Sequence, residues 1–450
     1  MTSPNTPTTS EPKRNISGLG ATGVVVAAMI GTGIFTLSGV VGPDLVTTDR
    51  FVVAWVVAAI VAGLGGSVYS ELAAANPNTG GHYLYWRTTF GRQATFIQCA
   101  TDLVLVSVAS VAAVAAGSAA YLHPLLPGAV QSILSESGLA VTLIWIATGM
   151  HIRSVRFGSA VITVGAMAKV AILLAFCVLV FLSDVPAKPP AEPLGTPPGW
   201  FSPTFADAVL LVLFAYAGWE NATTVAGDVQ NPQRNVPFAL FGGLAAVTLV
   251  YLLVNLAFLR AAPPSAMIDA EGNPVEAIGL FTAEHLLPQE VAEVSGLIFG
   301  VLIFFTIISA TLVVSRLFVA FAERRDFPSF FANRNEGGTP VPALVVNAIL
   351  CSAFLTVLDL EQLIRLGGIT YTLSHAGVGV AAVVQRFRFP DQHRPFRMPL
   401  FPVPAIGFAL LYLWLGISGA IREPELLPYI IGGWIAVSYT HLTLPTTWLV

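Results

Sequence analysis

Apolar runs of about 20 residues recur from Gly18 to Trp434, and no other feature restricts the fold of this chain as strongly. A run of that length crosses a ~30 Å hydrocarbon core as a helix. In lipid the backbone must satisfy its own polar groups, so each run reads as helix. Composition agrees: 55% of residues are hydrophobic and 10% charged, where a soluble domain carries about 25% charged. Spans are expected at roughly 17–42, 51–75, 94–121, 129–150, 156–183, 203–226, 236–260, 293–321, 341–358, 362–385, 402–421 and 426–445. The fold class is therefore all-α membrane protein with about twelve spans.

Charge tests that span count. Of 21 Lys and Arg, 14 fall on the side of the N-terminus (Lys13, Arg14, Arg87, Arg92, Arg153, Arg156, Arg234, Arg324, Arg325, Arg334, Arg386, Arg388, Arg394 and Arg397). Five fall opposite (Arg50, Lys188, Arg260, Arg365 and Arg422), and Lys169 and Arg316 lie inside spans. The positive-inside rule then predicts a cytoplasmic N-terminus in the cell membrane. A missed span would have reversed the bias downstream. Net charge is −4, and no basic stripe points to nucleic acid. Cys99, Cys177 and Cys351 all lie in spans and read as packing. Residues 1–15 are polar, without the apolar core of a signal peptide, and read as a disordered tail. The sequons at Asn15 and Asn221 fall in that tail and in a span, which argues against glycosylation. The end of the chain, 438–450, turns polar where the twelfth span should continue. It resembles translated adapter sequence; the alternative is an unusual native terminus.

Two spans are interrupted. The first, GLGATGVVVAAMIGTGIFTLSGVV, carries Gly31, Thr32 and Gly33 at its middle; the sixth, AVLLVLFAYAGWENATTVAG, carries Gly218 beside Glu220 and Asn221. An offset of five spans makes the two cross in opposite senses. Broken helices at corresponding positions of two halves point to an inverted-repeat transporter and its central site. The halves are about 17–183 and 203–386, within a transporter domain at 16–437 whose extra helices lie at about 402–437.

The breaks suggest chemistry. Glycine costs about 1 kcal/mol against alanine in a helix. Unwinding at Met29-Ile30-Gly31-Thr32-Gly33-Ile34 frees amides that suit a carboxylate at the positive start of the next half-helix. The competing reading is a small-residue packing face. In Phe214-Ala215-Tyr216-Ala217-Gly218-Trp219-Glu220, an acid within a span costs about 2.5–3.5 kcal/mol, which makes Glu220 a functional candidate; a structural hydrogen bond is the plainer account. Phe214 and Trp219 read either as lids or as packing. Lys169 is too deep in span five to snorkel and is a candidate proton carrier, a standing cation in place of sodium, or a structural bridge. Arg316, about one turn from its span end, reads as snorkelling. His375 reads as a satisfied core histidine, and Asp102 has no reading. Paired carboxylates, metal-ligand clusters, nucleophile elbows and phosphate loops are lacking, so neither an enzyme nor a cofactor or metal is expected.

At these residues the chain resembles the amino acid–polyamine–organocation superfamily, specifically bacterial amino acid permeases. The likeness lies in MIGTGIF, in YSELAAANPNTGGHYLYW (Tyr69–Trp86), in FAYAGWENATTVAGDVQNPQRNVP (Phe214–Pro237) and in SRLFVAFAERRDFP (Ser315–Pro328), and covers roughly 15–400. The resemblance implies a LeuT-like fold of two inverted five-helix repeats plus two C-terminal helices. It implies that Thr32 and Gly33 hold a substrate carboxylate, and that the carbonyls of Met29, Phe214 and Ala217 hold its amino group. Phe214 matches an aromatic gate, Glu220 an acidic position after the break, and Lys169 a lysine near the sodium position of sodium-coupled relatives. Gly80-Gly81-His82-Tyr83 resembles a cytoplasmic gating loop. The chain departs at Cys99–Asp102, where relatives often carry a glycine–tryptophan pair. The expected function is alternating-access transport of an amino acid or related amine, as a proton symporter or an exchanger. A non-transporting membrane sensor is the alternative and a channel the third reading. The partners are substrate, proton or counter-substrate, and lipid, in a monomer or homodimer.

Overall fold

The computed structural model describes residues 14–78, 80–153, 155–189, 196–324, 327–336 and 338–443, with the side chains of 155–167, 436 and 439–443 outside that description. The tail reading for residues 1–13 and the reading of 444–450 therefore lie outside the described residues.

Every described element of length is a helix. The first span is α1 (Gly18–Met29) and α2 (Gly33–Leu45), joined at a break with a 46° bend. Then follow α3 (Thr48–Ala75), α4 (Gly81–Thr101) and α5 (Ala109–Leu122), the last two connected by a π-helical stretch at Asp102–Val108. After the short α6 (Gly128–Gln131) come α7 (Glu136–Arg153) and α8 (Val155–Phe181), which complete the first half. The second half opens with α9 (Pro203–Tyr216) and the single turn α10 (Asn221–Thr224), then α11 (Pro232–Ala261), α12 (Ile278–Leu286), α13 (Gln289–Glu323), α14 (Val341–Val357) and α15 (Leu360–Arg388). Two further helices, α16 (Val403–Arg422) and α17 (Leu427–Thr443), close the chain. Each apolar run of the sequence thus corresponds to a helix or a broken pair. Among the described residues, six helices are long and apolar enough to cross a membrane alone, and the bent pair α1–α2 makes a seventh.

Local chemistry sets the ends. The Ser202 hydroxyl accepts the Phe205 amide at 3.2 Å, and Asp359 and Gln362 form a reciprocal capping box at the start of α15. Large apolar side chains such as Leu249, Leu410 and Ile421 are more than half exposed on the outside. In water that surface would be a liability; against acyl chains it costs nothing. At the centre, α1 packs on α11, α2 on α9, and α3 on both α9 and α11, so the two interrupted spans face each other.

The structure corrects three expectations. The third span is not regular: a helix already begins at Gly81, turns at Gly91 (φ 81°, ψ −176°), and widens into the π-helical stretch. Most of the arginines read as loop residues, among them Arg87, Arg92 and Arg365, stand on helices. Arg316 lies seven residues before the end of α13, about two turns rather than one. Helix α17 runs through Thr443, which leaves the origin of 438–450 as it stood.

Each end of α15 is held by a buried charge cluster. At one end Arg365 meets Asp207 at 2.8 Å, Glu361 at 2.5 Å and Glu423 at 2.9 Å. At the other, Glu71 accepts from Arg386 at 2.8 and 2.6 Å and from the Met398 amide at 2.6 Å.

Candidate functional site

The first break begins where α1 runs out of helical partners. Ile30 leaves the helix at ψ 81°, the Gly31 amide turns back to the Met29 carbonyl at 2.8 Å, and α2 restarts at Gly33. Among the described residues, the amides of Thr32, Gly33 and Ile34 find no protein acceptor, as the first turn of any helix requires. They are the donors a carboxylate would need. The Thr32 hydroxyl is buried without a hydrogen-bond partner, and its methyl packs on α5, where a Cβ on Gly117 would strike it.

The sixth span breaks differently. Helix α9 ends at Tyr216, Ala217 is extended (φ −58°, ψ 146°), and Gly218 adopts φ +103°, a conformation open to glycine at little cost. The Glu220 carboxylate accepts the Gly218 amide at 3.1 Å, and the amides of Asn221 and Thr223 turn back to the carbonyls of Gly218 and Glu220 at 3.1 and 2.8 Å. One turn of helix, α10, follows.

The two breaks touch. A Cβ on Gly33 would lie 2.5 Å from the Ala215 Cα, and one on Gly218 would lie 3.0 Å from the Ala28 carbonyl oxygen. Only glycine lets the chains approach this closely. Tyr251 of α11 sits across both, its hydroxyl 2.7 Å from the Met29 carbonyl and 2.8 Å from that of Ala215. One hydroxyl has one proton, so the two carbonyls share it. With the Gly31 amide and Tyr251 both directed at it, the Met29 carbonyl has its two lone pairs engaged in this conformation. An ammonium there would have to displace one of them. The Phe214 carbonyl accepts the Ala217 amide at 3.1 Å and keeps a second lone pair.

Lys169 reaches this centre from α8. It is 5% exposed, and its Nζ donates to the Ile30 carbonyl at 3.0 Å and to the Thr306 hydroxyl of α13 at 2.7 Å. Among the described residues no carboxylate pairs with it. A backbone carbonyl freed by a broken helix, together with a hydroxyl, is an oxygen pair that can hold a cation; the Lys169 nitrogen lies between the two.

Of the predicted site residues, Met29, Gly31, Thr32, Gly33 and Ile34 stand at the first break; Phe214, Ala215, Ala217, Gly218 and Glu220 stand at the second; Lys169 is bonded to the first. Trp219 is buried and packs edge-on to Tyr69 with ring centroids 4.9 Å apart, so it serves as core here. Phe214 is only half-buried. Glu220 also accepts the Tyr371 hydroxyl at 3.3 Å. His375 is half-satisfied, which corrects the expectation: Nδ1 lies 2.9 Å from the Tyr371 carbonyl, whereas Nε2 is buried without a partner. Sequence reasoning missed Tyr251 and Thr306. Polar residues in apolar spans were their signal, Tyr251 four positions before Asn255 in TLVYLLVNLAF.

Comparison with known proteins bears on this arrangement. The family described as "Amino acid permease" matches residues 16–437. The large neutral amino acids transporter small subunit 2 of Mus musculus is 27% identical over 425 residues, 92% of this chain and 77% of the relative. The methylthioribose transporter of Bacillus subtilis (strain 168) is 27% identical over 452 residues, 94% of this chain and 91% of the relative. The cystine/glutamate transporter of Homo sapiens is 24% identical, across 89% of this chain and 79% of the relative.

Proposed function

Because the chain belongs to the amino acid permease family, we propose that it carries a zwitterionic amino acid, neutral in its side chain, across the cell membrane by alternating access. The observation that carries this reading is the pair of touching breaks. Unpaired amides at Thr32, Gly33 and Ile34 face one charge of a zwitterion, and carbonyls at Phe214 and Ala217 the other. A close relative that bears the name of a neutral amino acid transporter supports the substrate class; the methylthioribose transporter keeps related small solutes in view. The two five-helix halves, about 17–183 and 203–386, move against each other around these breaks, with the N-terminus in the cytoplasm. Glu220 braces the second break.

Lys169 supplies the coupling. Its ammonium, held by the Ile30 carbonyl and Thr306, takes the place of a sodium ion and ties the first break to α13. Release of its proton during the cycle would loosen that tie and couple uptake to a proton gradient; retention of the proton would leave an exchanger. Purified protein in proteoliposomes should accumulate a labelled neutral amino acid and accelerate its exit when unlabelled substrate is added outside. Binding without flux would mark a sensor instead, and flux that does not saturate would mark a channel. Lys169→Ala should abolish dependence on a pH gradient; pH-driven accumulation in that variant refutes the carrier role.

A further inference from the structure

A second cluster of titratable groups, centred on Asp102 and His82, lies beside the sixth-span break and reaches it only at Glu220. Asp102 opens the π-helical stretch, a type of irregularity that marks functional positions in helices. Its carboxylate is held from two helices. Gln98 of α4 donates at 2.9 Å, and the Ser374 hydroxyl of α15 donates at 2.6 Å. His82, in the first turn of α4, has its Nε2 3.4 Å from the same carboxylate. Beyond it, the His375 ring lies 6.1 Å from the His82 ring, and the unpartnered Nε2 of His375 lies 4.0 Å from Glu220. The segment Gly80–Tyr83 is thus connected to the second break through two imidazoles and two carboxylates. Trp86, one turn further along α4, donates to the Ser374 carbonyl at 3.2 Å, so the start of α4 rests on α15 at this point.

We propose that His82 and Asp102 are positioning residues of the transport cycle: a proton-dependent latch that holds the start of α4 against α15 and sets how readily this end of the molecule opens. The inference rests on the transport reading but acts at a different place from Lys169. His82 keeps 28% of its side chain exposed, so it exchanges protons with water, whereas Asp102 is 13% exposed. When His82 is protonated, its cation meets the Asp102 carboxylate in a charge-assisted bond; when it is neutral, only a weaker neutral contact remains. The helix start disfavours a cation by itself, which makes the carboxylate decisive. The other ionisable groups around His82 are Tyr85 and Cys99 on α4, Tyr69 on α3, Tyr371 and His375 on α15, Glu220 in the break, and Arg324 at the end of α13. Of these, Glu220 is the second acid, and it already accepts from Gly218 and Tyr371. Imidazole is the group among them whose ordinary titration lies near neutral pH.

The latch is tested by hydrogen exchange of the full-length protein in detergent, read on peptides covering residues 80–90 and corrected for intrinsic rates. Because Asp102 favours the protonated imidazole, the window lies on the alkaline side: in the wild type, protection at about pH 6 should exceed that at about pH 9 by roughly tenfold. In His82→Gln and in Asp102→Asn, both nearly isosteric, the two protections should become equal. Counterflow in proteoliposomes should follow: acid slowing in the wild type, and a flat profile in both variants. Equal protection at the two pH values in the wild type, or an unchanged ratio in either variant, overturns the latch. Should Asp102→Asn fail to fold, His82→Gln alone decides. Exchange needs no substrate, so wild-type protein that fails to transport would sink the transport reading while leaving the latch measurement intact.

Discussion

The two interrupted spans reach a similar shape by opposite means. At the first break the freed carbonyls are satisfied by side chains from elsewhere in the fold: Lys169 of α8 at Ile30, and Tyr251 of α11 at Met29. At the sixth, beyond the Tyr251 hydroxyl shared with Ala215 and that of Tyr371 on Glu220, the turn itself is closed by local bonds. Glu220 caps Gly218 two residues away, the amides of Asn221 and Thr223 close local turns, and the positive φ of Gly218 sets the direction. One break is therefore an agreement among four helices, and the turn of the other is written largely into the six residues Gly218–Thr223. The difference teaches where each can be disturbed. A tertiary break should be undone by substitutions far away in sequence, a local one by substitutions within it.

The largest effect should come where the two breaks meet. A side chain on Gly33 must enter the space held by the Ala215 backbone, 2.5 Å from its Cα. Gly33→Leu should cut initial uptake in proteoliposomes by about 100-fold, in keeping with the upper range for overpacking. Uptake within a few-fold of wild type would mean that the breaks do not meet during transport. Next comes Gly218→Ala, which forces φ +103° on a residue with a Cβ, 3.0 Å from the Ala28 carbonyl oxygen. Left-handed backbone costs roughly 1–2 kcal/mol, or about tenfold in rate. If the sixth break is locally encoded, no change at a distant position should restore that loss.

Tyr251→Phe tests the other side of the comparison. It removes one hydroxyl shared between Met29 and Ala215, worth about 1 kcal/mol and so about fivefold in uptake. A variant with wild-type rates would show that the first break stands without its distant support. The smallest effect concerns the segment that covers α2. The Val275 carbonyl lies against Gly39, and the neighbouring Glu276 is pushed up from 4.5 to about 8, first by burial and then by Glu136, Asp359 and Glu361. A carboxyl whose folded-state value is raised keeps a proton that the unfolded chain gives up. Stability should therefore decline as pH rises from about 4.5 through about 8. Melting in detergent should fall by a few degrees over that range in the wild type and stay level in Glu276→Gln. A level wild-type curve would remove Glu276 from the supports of α2.

The sequence determined the helical membrane class, the order of the runs and the position of both breaks. These follow from local quantities: the length of an apolar run measured against a bilayer, and glycines placed where a helix tolerates them poorly. Glu220 was legible for the same reason, as a charge that a span does not carry without use. The partners of these groups were not legible. That Lys169 meets Ile30 and Thr306 across gaps of 139 and 137 residues, that Tyr251 spans both breaks, and that Asp102 joins His82 to Ser374 all depend on helix rotation. Rotation follows from packing of small residues on every neighbour at once. A residue's period along one helix says which residues share a face, and only the assembled bundle decides what that face meets.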